Sequence, residues 1–157
     1  MKKDGIAVVG RLARGAVLLD GQTVKTKTLY DELRREFPGR QVLYVDVYRY
    51  RKRILPILWD TLRVFASCEH IIVLLSKNGH RFFFPVLHGL NLVFRRKLYH
   101  DVIGGALPME AAESASLRRR LGKFQVNWVE FPAMKQELEQ AGVHNVEVLP
   151  NFKRLEI

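Results

Sequence analysis

The chain is short of cysteine, of acidic residues and of long apolar runs, and each shortage closes off a class of protein. Cys68 is the only cysteine among 157 residues, so neither an intramolecular disulfide nor a cysteine-based metal site can form. Set among Phe65, Ala66 and Ile71, its thiol reads as a packed group and not a reactive one. The five histidines (His70, His80, His88, His100 and His144) show no metal-ligand spacing, so no metal is expected. The longest apolar stretch, Phe82 to Phe94, is broken by Pro85, His88, Gly89 and Asn91. It falls well short of the roughly 20 apolar residues that a spanning helix needs. Met1 to Asp4 followed by a brief apolar run that stops at Gly10 does not read as a secretory leader, so none is expected and a reducing cytoplasm is the expected compartment.

Several catalytic fingerprints are also missing. Gly10 and Gly15 have the glycine spacing of a P-loop, but Ala16-Val17 stand where Lys and Ser or Thr would hold phosphate and magnesium. No G-x-G-x-x-G follows the first apolar run, which argues against a dinucleotide enzyme. Asp46 then reads as a strand-end polar residue rather than a ribose ligand. No G-x-S-x-G elbow anchors a hydrolase triad. No catalytic residue is assigned, and no cofactor is implied.

What is present is an alternation of strand-like and helix-like segments. Ile6–Gly10, Gln41–Val47, His70–Leu75, Leu98–Gly104, Gln125–Phe131 and Val146–Leu149 read as strands. Between them, helices are expected over Thr23–Phe37, Arg53–Ser67, Phe83–Phe94, a single segment from Pro108 through Arg120, and Pro132–Ala141. Leu29, Leu33 and Phe37 set the apolar face of the first helix, and Pro38-Gly39 stops it. Asn78-Gly79 reads as a turn after the third strand. Parallel strands need crossovers, so repeated βα units specify a Rossmann-like doubly wound α/β sheet of about six strands with helices on both faces. One domain spanning 1–157 is expected, with no linker or repeat.

Ligands bind such sheets beyond the carboxyl ends of the strands, where strand order reverses. With the order 3-2-1-4-5-6, the reversal would fall between the first and fourth strands, which end at Gly10 and at Gly104-Gly105. Gly21-Gln22-Thr23 opens the first helix, and unpaired N–H groups at a helix start favour phosphate or hydroxyl oxygens.

Lys and Arg total 26 against 16 Asp and Glu, a net charge of +10 that favours anionic partners. The cations gather in two basic-apolar segments. Arg49, Arg51, Lys52 and Arg53 precede Ile54 to Trp59, while Arg81 leads into Phe82-Phe83-Phe84 and Arg95-Arg96-Lys97 follows that apolar helix. Basic residues beside exposed aromatics suit an anionic membrane surface; a solvated rim around core residues is the other reading. Nucleic acid fits less well, because no reader motif accompanies the charge.

The chain resembles the N-terminal half of a GT-B glycosyltransferase, of the retaining type that builds bacterial surface polysaccharides. The similarity is carried in order by Val9-Gly10, Gly21 to Thr26, Asn78-Gly79, Val102-Ile103-Gly104-Gly105 with Leu107-Pro108, Glu130, Met134 to Leu138, and Val148 to Lys153. Asp20-Gly21 departs from the two glycines common there, and no histidine follows the fourth strand where relatives often carry one. The resemblance implies that Gly21, Gln22, Thr23, Asn78, Gly79, Gly104, Gly105 and Glu130 line a substrate cleft. It implies a nucleotide-sugar donor as substrate, a saccharide acceptor that is often lipid-linked, and work at the cytoplasmic face of the membrane. It also implies a C-terminal donor-binding domain or subunit as partner, without which this chain is expected to be inactive. A non-catalytic basic module docking on anionic membrane or a partner protein is the alternative.

Overall fold

Gly5–Gly10 forms the first strand, β1, and all six of its residues are buried. A strand covered on both faces has no polar side to show, so its sequence runs apolar without alternation. The computed structural model describes residues 5–13, 21–75, 77–103 and 106–149. After β1 come α1 (Gly21–Glu36), β2 (Val42–Asp46), α2 (Ile54–Ser67), β3 (Cys68–Leu74) and α3 (Lys77–Phe94). They are followed by β4 (Lys97–Asp101), α4 (Leu107–Glu113), α5 (Ala115–Gly122), β5 (Val126–Val129), α6 (Pro132–Ala141) and β6 (Val146–Val148). A 3-10 turn, Tyr50–Lys52, precedes α2. All six strands pair in parallel, in the Rossmann-like doubly wound α/β class read from the sequence.

The strand order is β2-β1-β3-β4-β5-β6, not 3-2-1-4-5-6. The chain leaves β1 for the β2 edge and then crosses back to β3, so the reversal falls between β1 and β3. The pairing of the first and fourth strand ends across a switch point is therefore corrected. Alternation of strands and helices fixes the parallel class but leaves the sequence of edges open, since both orders satisfy the same handedness.

Three helices also depart from their expected bounds. Asn78-Gly79 is no turn: both lie in the first turn of α3, which starts six residues before Phe83. Pro85 therefore sits inside the helix, on its exposed side, where water can meet the carbonyl it leaves unbonded. The helix opened by Pro108 breaks at Ser114, whose Oγ accepts from the Leu117 N–H at 3.1 Å and so caps α5. Phe37 lies beyond the end of α1, exposed under the Arg40 guanidinium.

The sheet separates two apolar clusters. Ile6, Val8, Ile72 and Leu74 pack with Leu29 and Tyr30 of α1 on one face. Ala7, Val9, Ile71 and Val73 face the other way, against Ile57, Val64, Phe65, Phe83, Phe84 and Leu87 of α2 and α3. Buried apolar side chains of α4, α5 and α6 join this second cluster. Among the described residues, α1 is thus the only helix on its face. Beyond it, Tyr99 and Trp128 stack half-buried at 5.4 Å on the same side of β4 and β5.

Gly10 closes β1 where α1 meets the sheet. A Cβ there would lie 2.8 Å from Thr26 Cγ2 and 3.0 Å from the Leu74 carbonyl. The space a side chain would take is filled by α1, so this glycine serves helix-to-strand packing, not the approach of a ligand. Gly10→Ala is expected to lower stability by about 1–3 kcal/mol through overpacking, measured as a lower urea midpoint with an unchanged slope.

His88 lies buried between the rings of Phe84 and Phe124, and its Nε2 has no hydrogen-bond partner. Burial, with help from the charge of Lys123, lowers its pKa to about 4. A lowered imidazole pKa gives stability that is complete above pH 6.5 and is lost as pH falls through 4. His88→Leu should remove that acid sensitivity. Between pH 6.5 and 4 the variant should gain on the wild type by about 2 kcal/mol in urea unfolding.

Candidate functional site

Side-chain alternation along the parallel strands sends Tyr99 and Asp101 of β4, and Trp128 with the following Glu130 of β5, toward the α1 side. The last residue of each set stands at the carboxyl edge. Lys25, one turn into α1, reaches across to both. Its Nζ lies 2.9 Å from Asp101 Oδ1 and 3.0 Å from Glu130 Oε1, and it donates to the Val102 carbonyl at 3.3 Å. One ammonium thus joins the start of α1 to the ends of β4 and β5.

The three charges differ in their exposure. The Asp101 side chain is 3% exposed, Lys25 13% and Glu130 39%. Asp101 Oδ2 is buried and has no hydrogen-bond partner. Burial pushes the Asp101 carboxyl up to about 6, against the opposing pull of Lys25 and with added repulsion from Glu130. A carboxyl raised in this way at the carboxyl edge of a doubly wound sheet is the kind of perturbed group that gathers where such sheets bind ligands.

Polar groups extend the cluster toward β1. Arg11 Nε donates to Thr23 Oγ1 at 3.1 Å, which ties the residue after β1 to the first turn of α1. Asp46 Oδ1 accepts the N–H groups of Leu12, Ala13 and Tyr48 at 3.0–3.1 Å. It holds the backbone after β1, including Ala13 at φ 52, and so acts as the strand-end polar group expected.

Of the residues singled out in the sequence, Gly21, Gln22 and Thr23 form the first turn of α1, and Glu130 meets Lys25 one turn further on. Asn78 and Gly79 lie in the first turn of α3. Gly104 and Gly105 lie outside the described residues, but the Val102 carbonyl two residues earlier touches Lys25. Lys25 and Asp101 were missed. The available signal was a lysine near the start of a helix, at the end where the dipole favours anions over cations.

The cationic segments behave unequally. Arg49, Arg51, Lys52, Arg53 and Arg81 are exposed. Arg96 instead donates Nε to the Phe65 carbonyl at 2.7 Å, and Lys97 pairs with Glu69 at 3.6 Å. Arg95 is exposed, with φ 56. The aromatics that follow Arg81 belong to the core, with Phe83 and Phe84 buried and Phe82 stacked on Tyr50, whereas Trp59 of the first segment is 63% exposed. A shallow pocket lined by Tyr30, Tyr44, Asp60 and Arg63 opens at the β2 edge, apart from the carboxyl-edge cluster. Among the described residues no group of histidine, cysteine and carboxylate side chains is placed to hold a metal ion, and no helix is long and apolar enough to cross a membrane.

No protein-family model matches the chain, and no curated protein matches it.

A carboxyl raised in the folded state gives stability that is complete below pH 3.8 and is lost as pH rises through 6. Relative to Asp101→Asn, the wild type should therefore lose about 2 kcal/mol in urea unfolding between pH 4 and pH 7. Carbon-13 detection of the Asp101 carboxyl should place its midpoint near 6.

Proposed function

We propose that this domain binds the acceptor in a glycosyltransferase of the GT-B type, moving a sugar from a nucleotide-sugar to a saccharide acceptor, free or lipid-linked, at the membrane surface. The observation that carries this reading is the Lys25–Asp101–Glu130 cluster beyond the carboxyl ends of β4 and β5. A saccharide offers hydroxyls that both donate and accept, and a cation flanked by two carboxylates answers both roles. Glu130 and Gln22 are the members open enough to meet a ligand, with Lys25 and Asp101 behind them fixing their geometry. The start of α1 adds the positive end of a helix dipole, which suits a phosphate on donor or acceptor. Charge development at the leaving group would be met by a second, donor-binding domain or subunit across the cleft.

The test is nitrogen-15 NMR of the full chain titrated with a short-chain isoprenyl-diphosphate saccharide, and separately with nucleotide-sugars. Shifts should concentrate on Gln22, Thr23, Lys25, Val102 and Glu130. Glu130→Gln, which removes one charge-assisted acceptor at a half-exposed position, should weaken saccharide binding about tenfold without altering the fold. Shifts confined to the β2 edge pocket, or saccharide binding untouched by Glu130→Gln, would overturn the assignment.

A further inference from the structure

We propose that the outer face of the α2–α3 layer docks on an anionic lipid bilayer. This surface stands apart from the carboxyl-edge crevice, and the proposal does not rest on sugar transfer.

A helix that covers a sheet normally turns polar residues to water. On α2 the side opposite buried Ile57, Thr61, Val64 and Phe65 carries Leu55, Trp59 and Leu62 at spacings of four and three. Leu55 is 79% exposed and Trp59 63%. On α3 the outward stripe runs through Pro85 and Gly89 to Leu92 and Val93, which are 77% and 78% exposed. The two helices pack side by side, so these stripes share one face. Scattered exposed apolar residues are ordinary, but a face built from them on two adjacent helices marks a contact surface.

Charge decides what the contact is. Asp60 is the only acidic residue in α2 and α3. At the carboxyl edge the ring of Tyr50 packs on Phe82 at 5.5 Å and on Phe83 at 5.4 Å. This packing brings Arg49, Arg51, Lys52 and Arg53, ahead of α2, together with Arg81 of α3. Among the described residues none of these five has an acidic partner within salt-bridge distance. Arg63 and Arg95 are exposed toward the other end of the layer. An apolar stripe with a tryptophan, bordered by cations and nearly free of acids, matches the interfacial zone of an anionic bilayer. A second copy would bring like charge against like charge, which disfavours self-association through this face. Docked in this way, the sheet lies roughly parallel to the bilayer and the carboxyl edge opens along it.

The test uses the full chain with vesicles of phosphatidylcholine alone or with about one-third phosphatidylglycerol. Trp128→Phe leaves Trp59 as the sole tryptophan reporter. Binding should rise at least about tenfold with the anionic lipid and fall with salt, and Trp59 emission should shift to the blue and be quenched by brominated acyl chains. The triple variant Leu55→Ser, Trp59→Ser, Leu62→Ser and the charge variant Arg51→Glu, Arg53→Glu should each weaken binding about tenfold, with circular dichroism unchanged. All of these positions are exposed, so the variants should fold. Three results would each overturn the proposal. One is equal binding to both vesicles, or to neither. Another is salt-sensitive binding in which Trp59 stays in water and the serine variant binds as the wild type does. The third is sedimentation showing a dimer that the serine variant abolishes, which would give the face to a second copy.

Discussion

Two contacts set how the start of α1 lies on the sheet, beside the Arg11–Thr23 hydrogen bond, and the carboxyl edge takes its shape from them. At the first, Thr26 fills the space left by the missing side chain of Gly10. This draws the helix close enough for its first turn to overhang the strand ends. At the second, Lys25 reaches past β1 and β3 to Asp101 and Glu130. The close contact sets the distance of the helix from the sheet, and the ion cluster sets its direction. Without the first, Lys25 would not span from α1 to β4. Without the second, the helix start would sit over β1 and β3 with no tie to the rest of the edge.

Stability alone does not account for this cluster. Burying charge is expensive, and a buried ion pair is often no better than well-packed apolar residues of similar volume. Here the compensation is visibly incomplete: Asp101 keeps one buried oxygen without a partner and its carboxyl is pushed up to about 6. The lysine also sits near the start of its helix, at the end where the dipole favours anions. A sequence selected only to pin α1 could have used leucine and valine at these positions, as it does at Leu29 and Val8. Polar groups kept at such a cost, in the place where doubly wound sheets bind ligands, support the proposal of a polar ligand there.

Periodicity made the layers legible. The buried run of β1, the repeating leucines of α1 and the Pro132-to-Gly142 frame of α6 each carry a local signal strong enough to place an element. The strand order carried no such signal, because choosing an edge depends on which faces the later helices cover and not on any single segment. Asn78-Gly79 misled the start of α3, because a dipeptide common in turns here lies in the first turn of a helix. Pro85 falls inside that helix on its exposed side, where water can meet the carbonyl it leaves unbonded. Ser114 split a helix that charge order alone made continuous. At the site, Glu130 was singled out only through the family resemblance, while Gly21 to Thr23 were legible as a helix start. Lys25 and Asp101 were not, because 76 residues separate them in sequence and only the register of β4 brings them together.

The two faces of the sheet are finished differently, and the difference bears on what each can meet. The stacked Tyr99 and Trp128 on the α1 side stand among mixed charge: His70 shares a hydrogen bond with Tyr99, Lys97 pairs with Glu69, and Lys135 with Glu147. Such a balanced border selects no sign of partner, and half-burial leaves little apolar area to gain. The α2–α3 face has the opposite character. Its apolar residues are more than three-fifths exposed at Leu55, Trp59, Leu92 and Val93, and its border is almost purely cationic. Apolar area supplies affinity without direction, whereas uncompensated charge supplies the sign. Only where both occur together does an exposed surface specify a chemistry, and in this chain they occur together on α2 and α3.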